Sequence, residues 1–173
     1  MPLPVAHGLL GASIIAALVR KPAPNRFSIP FLIGAALANA ADLDFLLVAA
    51  FHSKAWHRGF SHSIAFAVFI VLLLIVLMGR NQLRNAVAYG LAFASHALLD
   101  FVTTKSGDGV ALLWPFSSDK FAMGWWGLSE APSKLTPVEI VEALALEVLI
   151  FAPIFLGVFL LAPERRKTRL RLD

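Results

Sequence analysis

The sequence predicts an all-α membrane protein, a single polytopic helical bundle, and three observations carry that expectation. Hydrophobic residues make up 58% of the 173-residue chain and charged residues only 15%, whereas soluble domains carry about a quarter charged. Mean hydropathy is +0.75. Several apolar stretches have the length, about 20 residues, that a helix needs to cross the hydrocarbon of a bilayer. Cysteine is absent, which excludes disulfides and thiolate metal sites and leaves the redox compartment unread.

About five spans are expected in one domain covering 1–173. The first is 4–19, PVAHGLLGASIIAALV. It reads as a retained helix rather than a cleaved leader, because Arg20 and Lys21 follow its apolar run instead of preceding it. The second, 29–51, starts after the breaker-rich run KPAPNRFSIP. The third, 60–79, has Gly59 to permit a break and Ser61 as its expected N-cap. The fourth is 83–102. The fifth, 137–161, opens on TPVE, where Thr136 as N-cap, Pro137 at the first helical position and Glu139 form a capping box. An outer loop at 103–135 contains three of the four tryptophans, in LLWPF and GWWGL, and a basic tail occupies 163–173.

Lysine and arginine bias sets the expected orientation. With the N-terminus outside, ten basic residues fall inside (Arg20, Lys21, Arg26, Arg80, Arg84 and the tail) and five outside (Lys54, Arg58, Lys105, Lys120 and Lys134). The N-terminus is therefore expected out and the C-terminus in. The tail suits a juxtamembrane contact with anionic lipid. Lipid accounts for the net charge of +4 without nucleic acid as a partner.

On this topology the hydrophilic chemistry falls at one depth. His7 lies near the outer end of span one, Asp42 and Asp44 in the outer half of span two, and His57 and His62 just before span three. His96 and Asp100 lie at the outer end of span four. His52 is set aside as a solvated turn residue. A charged aspartate near a helix centre costs about 2.5–3.5 kcal/mol on insertion scales, so such residues face partners inside a bundle. A divalent cation suits carboxylates and neutral imidazoles together: zinc above all, with manganese, iron and nickel also accepting these donors. Two ions can share a carboxylate.

Spacing supports this unevenly. His96 and Asp100 are four apart, on one helix face. Asp42 and Asp44 are two apart, about 200° around a regular helix. Either the helix unwinds there or one carboxylate stands behind the ligands, with Asp44 slightly preferred as ligand for its position nearer the boundary. His57 and His62, about 140° apart on a helix, also need a break. Arg58 either clamps an anionic group or snorkels to the headgroups. Ser61 and Ser63 read as capping or hydrogen-bonding residues rather than nucleophiles. Glu147 either belongs near the site or pairs with a neighbouring helix. Trp114 either anchors the loop at the interface or forms part of a lid over a lipid-like substrate.

AHGLLG, ADLD, HRGFSHS, SHALLDFVT and GVALLWP, in that order between residues 6 and 116, resemble the membrane-bound metal-dependent hydrolases. These are also described as LexA-binding, inner membrane-associated hydrolases. The resemblance implies metal binding by His7, Asp42, Asp44, His57, His62, His96 and Asp100, and places Arg58, Gly59 and Thr103 in the same motifs. It departs at Ala41 and Phe45, where the family's acidic motif begins with proline and ends with histidine, and in a longer KSGD segment at 105–108. A more distant similarity in ligand order, to zinc-dependent phospholipase C and related nucleases, implies phosphoester hydrolysis.

The expected function is a hydrolase of the bacterial cytoplasmic membrane with one or two metal ions. The substrate is a small or lipid-like ester resident in the membrane, favoured as a phosphoester or phospholipid. Asp42 or Asp44 is the expected base and Arg58 the stabiliser of negative charge. Two alternatives remain at this level: a transporter of divalent cations or protons, and a non-catalytic scaffold or regulatory protein whose metal ties helices together. The oligomeric state is not readable.

Overall fold

The computed structural model describes residues 2–19, 28–104, 109–124 and 136–161. Its helices are α1 (Pro4–Leu18), α2 (Ser28–Asn39), α3 (Phe45–Phe51), α4 (Ile64–Met78), α5 (Leu83–Thr103) and α6 (Pro137–Leu161). Among the described residues there is no β-strand, and the one bridge pairs Val110 with Phe121 in the loop between α5 and α6. The all-α expectation holds.

The number of spans is lower than the expected five. Among the described residues, three helical stretches are long and apolar enough to cross a membrane, Ile29–Phe51, Arg80–Thr103 and Pro137–Leu161. A fourth counts only if the segment Lys54–His62 and α4, bent by 54°, make one broken span. At 15 residues α1 covers about 22 Å at 1.5 Å per residue, short of the hydrocarbon thickness.

Two breaks shape the site. The second span unwinds at ADLD into a 3-10 turn, Ala40–Asp44, before resuming as α3. A second 3-10 turn, Phe60–His62, precedes α4. It displaces the expected cap: Ser63, not Ser61, accepts the Phe66 N–H at 3.0 Å, because α4 starts only after the turn. At α6 the expected cap forms, with Thr136 Oγ1 accepting the Glu139 N–H at 3.4 Å.

The helices enclose α1 between α2, α5 and α6. A backbone-to-backbone approach brings α1 onto α2: a Cβ on Gly11 would lie 2.5 Å from the Gly34 carbonyl oxygen, and one on Gly34 only 2.3 Å from Ile15. Small residues permit such contacts in bilayers, where packing rather than the hydrophobic effect holds helices together. One apolar cluster, Ile15, Ala88, Tyr89 and Ala92, fills one end of the bundle, and another, Ala6, Leu99 and Phe151, lies toward the other. By contrast α4 buries none of its residues, and Val76 and Leu77 are 78% and 70% exposed. Surfaces this apolar suit lipid.

Candidate metal centre

Four segments converge at the end of the bundle where α1 begins and α5 ends. The first turn of α1 brings His7, the ADLD turn brings Asp42 and Asp44, the segment before α4 brings His57, Arg58, Ser61 and His62, and α5 brings His96 and Asp100. His7, His62, His96 and Asp100 are fully buried. The unwinding at ADLD and the turn at Phe60–His62 remove the angular conflicts that regular helices would have imposed on each pair.

At the centre lie His62 Nε2, His96 Nε2, Asp42 Oδ1 and Asp100 Oδ2. Asp42 Oδ1 is 3.7 Å from His62 Nε2 and 3.2 Å from His96 Nε2. Asp100 Oδ2 is 3.7 Å from His62 Nε2 and 3.9 Å from His96 Nε2. Most of these separations exceed an ordinary hydrogen bond. They are near the donor-to-donor edge, about 3.3–3.4 Å, of a tetrahedron with metal–ligand bonds of about 2.0–2.1 Å. None of the four atoms has a hydrogen-bond partner among the described residues. An unsatisfied buried polar atom costs about 1–3 kcal/mol, more if charged, and donors grouped in this way could hold a cation. Three groups could hold a metal ion: His7, His96 and Asp100; Asp42, His62 and His96; and Asp42, Asp44 and His57.

The outward nitrogens explain the inward ones. His96 Nδ1 donates to the Ala38 carbonyl at 2.6 Å; a carbonyl only accepts, so the lone pair is on Nε2, facing the site. Ser61 Oγ donates to Asp44 Oδ2 at 2.8 Å and in turn accepts from His62 Nδ1 at 2.9 Å. That bond likewise leaves the Nε2 of His62 as an inward donor of electrons. Such supports fix tautomer and ring plane at metal sites.

Asp44 stands behind this centre. Oδ1 accepts from His57 Nδ1 at 3.0 Å, and Oδ2 accepts from the Arg58 N–H at 3.0 Å as well as from Ser61. Asp42 is the aspartate of ADLD beside the Nε2 atoms of His62 and His96, whereas Asp44 faces Nδ1 of His57 and His62 and shares a possible metal group with Asp42 and His57. Unwinding turned Asp42, at 18% side-chain exposure, inward beside His62 and His96, and left Asp44 to organise the WHRGFSHS segment. His57, stacked on Phe45 at 4.0 Å, lies at the edge of the site.

Arg58 is not a snorkelling residue. It is only 3% exposed, with Nε 3.4 Å from Asp100 Oδ2, and its φ of 57° marks the tight bend that turns it inward. Thr103 donates back to its own helix, at the Leu99 carbonyl, 2.7 Å away. Trp114, 41% exposed, rests on Phe60 with ring centroids 5.9 Å apart. Glu147 is fully buried against the start of α1, away from the cluster. Trp125 and Trp126, the basic tail, and Arg20, Lys21, Arg26, Lys105 and Lys134 of the charge bias lie outside the described residues.

Sequence reasoning missed the parts of the site made by backbone. The Ala38 carbonyl orients His96. The loop covers the site through Ala111 N–H to the Arg58 carbonyl at 3.0 Å and Ile64 N–H to the Leu112 carbonyl at 3.0 Å. Lys120 Nζ adds a bond to the His57 carbonyl at 3.0 Å. Main-chain acceptors carry no residue-type signature. Only the placement of GVALLWP after SHALLDFVT hinted that this loop returns to the site.

The model of the YdjM inner membrane protein family matches residues 1–166. A curated relative, inner membrane protein YbcI of Escherichia coli (strain K12), is 36% identical over 141 residues, covering 79% of this chain and 80% of the relative. No solved structure matches significantly.

Proposed function

This chain belongs to the YdjM inner membrane protein family, and we propose that it is a metal-dependent hydrolase acting on an ester that resides in that membrane. The family and its relative carry the inner membrane location; the reaction is read from the site. The observation that supports it most is the set of four converging donor atoms, His62 Nε2, His96 Nε2, Asp42 Oδ1 and Asp100 Oδ2, all without hydrogen-bond partners.

His62, His96 and Asp42 would hold an ion. His7, whose Nε2 is 3.5 Å from Asp100 Oδ1, would hold a second ion with His96 and Asp100. The donor set of imidazoles and carboxylates without sulfur favours zinc and also accepts manganese, iron or nickel. A divalent cation, when bound, supplies Lewis acidity toward a coordinated water and toward an ester or phosphoryl oxygen. Asp42, part-exposed where Asp44 is fully engaged, is placed to accept a proton from water. The Arg58 guanidinium, held beside Asp100, is placed to offset negative charge on a phosphoester. Asp44 and Ser61 hold His57 and His62 in register.

A phosphoester or phospholipid is the favoured substrate. The site sits at a bundle end among lipid-facing helices, and it carries a buried guanidinium. A charge bias that puts the N-terminus outside would open it to the extracytoplasmic face. The apolar cluster of Ile15, Ala88, Tyr89 and Ala92 fills the opposite end, which favours a site open on one side over a transport path.

The test is a panel of phosphoesters and phospholipids offered to the purified protein in detergent, before and after chelation. Hydrolysis that disappears with the metal and returns on adding zinc supports the proposal. Absence of turnover across the panel by fully metal-loaded protein counts against it and favours the scaffold reading.

A further inference from the structure

We propose that Glu147, on α6, is a positioning residue for the metal centre: it fixes the first turn of α1 and through it the imidazole of His7. The inference rests on the metal reading above and adds a residue to it that touches none of the donor atoms.

The carboxylate is fully buried in a helix whose only buried residues are Glu147 and Phe151. An acid among residues as apolar as these needs partners inside the protein. Its partners include backbone: Oε1 accepts the Leu3 N–H and Oε2 accepts the Ala6 N–H at 2.9 Å. These donors belong to the start of α1, where Pro4 occupies the first helical position and Leu3, the N-cap residue, offers no side-chain cap. The first turn of any helix leaves N–H groups without intrahelical acceptors, and a carboxylate there also complements the helix dipole. Glu147 thus acts as a cap delivered from another helix.

The second observation concerns His7, which directly follows Ala6. Its ring is fully buried and stacked on His96 with centroids 3.8 Å apart and planes 16° from parallel. Yet neither of its ring nitrogens has a hydrogen-bond partner among the described residues. The other three imidazoles are each turned by a bond at Nδ1: His57 by Asp44, His62 by Ser61, His96 by the Ala38 carbonyl. For His7 the placement of its own backbone takes over that task, and Glu147 holds that backbone. The residue type matters as well. A carboxylate presents two acceptors and no donor, whereas a glutamine must turn an N–H₂ toward one of the two N–H groups.

Cobalt(II) in detergent-solubilised full-length protein tests this, with affinity read by chelator competition and geometry by the visible absorption spectrum. Glu147→Gln is expected to weaken cobalt binding about 10- to 100-fold, the range for residues that orient metal ligands, and to move the spectrum toward that of His7→Ala. Phe151→Ala is the control. It loosens the same helix by emptying its contact with Ala6 and Leu99, and it is expected to lower thermal stability while leaving spectrum and affinity unchanged. Should Glu147→Gln not be recovered folded, Glu147→Asp, which withdraws the carboxylate by one methylene, is read in the same way. A Glu147→Gln protein with the parent's affinity and spectrum overturns the inference while the metal reading stands. Equal shifts in Phe151→Ala overturn it too, since general loosening of α6 would then suffice. A parent that takes up no cobalt removes the metal reading and this inference together.

Discussion

The imidazoles of His7 and His96 lie stacked, 3.8 Å between centroids, and their Nε2 atoms lie nearest different oxygens of Asp100: Oδ1 at 3.5 Å from His7 and Oδ2 at 3.9 Å from His96. One carboxylate thus ties the start of α1 to the end of α5. His96 is common to two of the three groups of residues that could hold a cation, with His7 and Asp100 in one and with Asp42 and His62 in the other.

The two aspartates of ADLD are expected to fail differently. Asp42→Asn replaces the charged carboxylate that faces His62 and His96 with a neutral, weakly ligating amide, so bound metal should fall sharply. Asp44→Asn keeps the donors but disturbs the bonds to His57, Ser61 and the Arg58 N–H, so metal should largely remain while hydrolysis drops about 10- to 100-fold. Elemental analysis beside a rate measurement separates them. Equal metal loss in both variants would refute the division.

Arg58→Lys should lower kcat/KM for an anionic phosphoester by about 10²- to 10³-fold, because a planar guanidinium beside Asp100 is replaced by a point charge. A neutral carboxylic ester should be affected much less. Similar losses on both substrates would mean that Arg58 acts only by supporting Asp100.

Gly11→Leu places side-chain atoms where the Gly34 carbonyl already lies 2.5 Å from the position of a Cβ. A loss of about 1–3 kcal/mol in stability is expected from such overpacking. It should appear as a lower Tm in detergent, together with weaker metal binding, since α1 carries His7. An unchanged Tm would mean that α1 and α2 do not pack this closely.

Reconstituted protein should pass no zinc or protons across liposomes, because apolar residues around Ile15 and Tyr89 fill the end opposite the site. Flux that tracks protein concentration and is lost in His96→Ala would favour the transport reading instead.

Much of this was legible in the chain. Composition and apolar run length gave the all-α membrane class, and the bounds of α5 and α6 lie within a residue or two of those expected. The convergence of His7, Asp42, His62, His96 and Asp100 was legible because charged groups in apolar helices seek partners inside the bundle. What could not be read is the consequence of local unwinding. Whether ADLD continues its helix decides which aspartate faces inward, and that depends on the WHRGFSHS segment, whose Arg58 N–H and Ser61 claim Asp44. Span number also misled, since α1 is apolar enough but too short. The direction of Glu147 was open for the same reason: it accepts from main-chain N–H groups, present at the start of every helix.

The most direct measurement is the metal content of the parent protein beside His96→Ala and Asp100→Ala, each purified in metal-replete buffer and checked for folding. The expected result is about one or two equivalents of divalent metal in the parent and almost none in either variant. A folded parent that emerges metal-free, or an Asp100→Ala protein that retains the full complement, would contradict the cation-centred site.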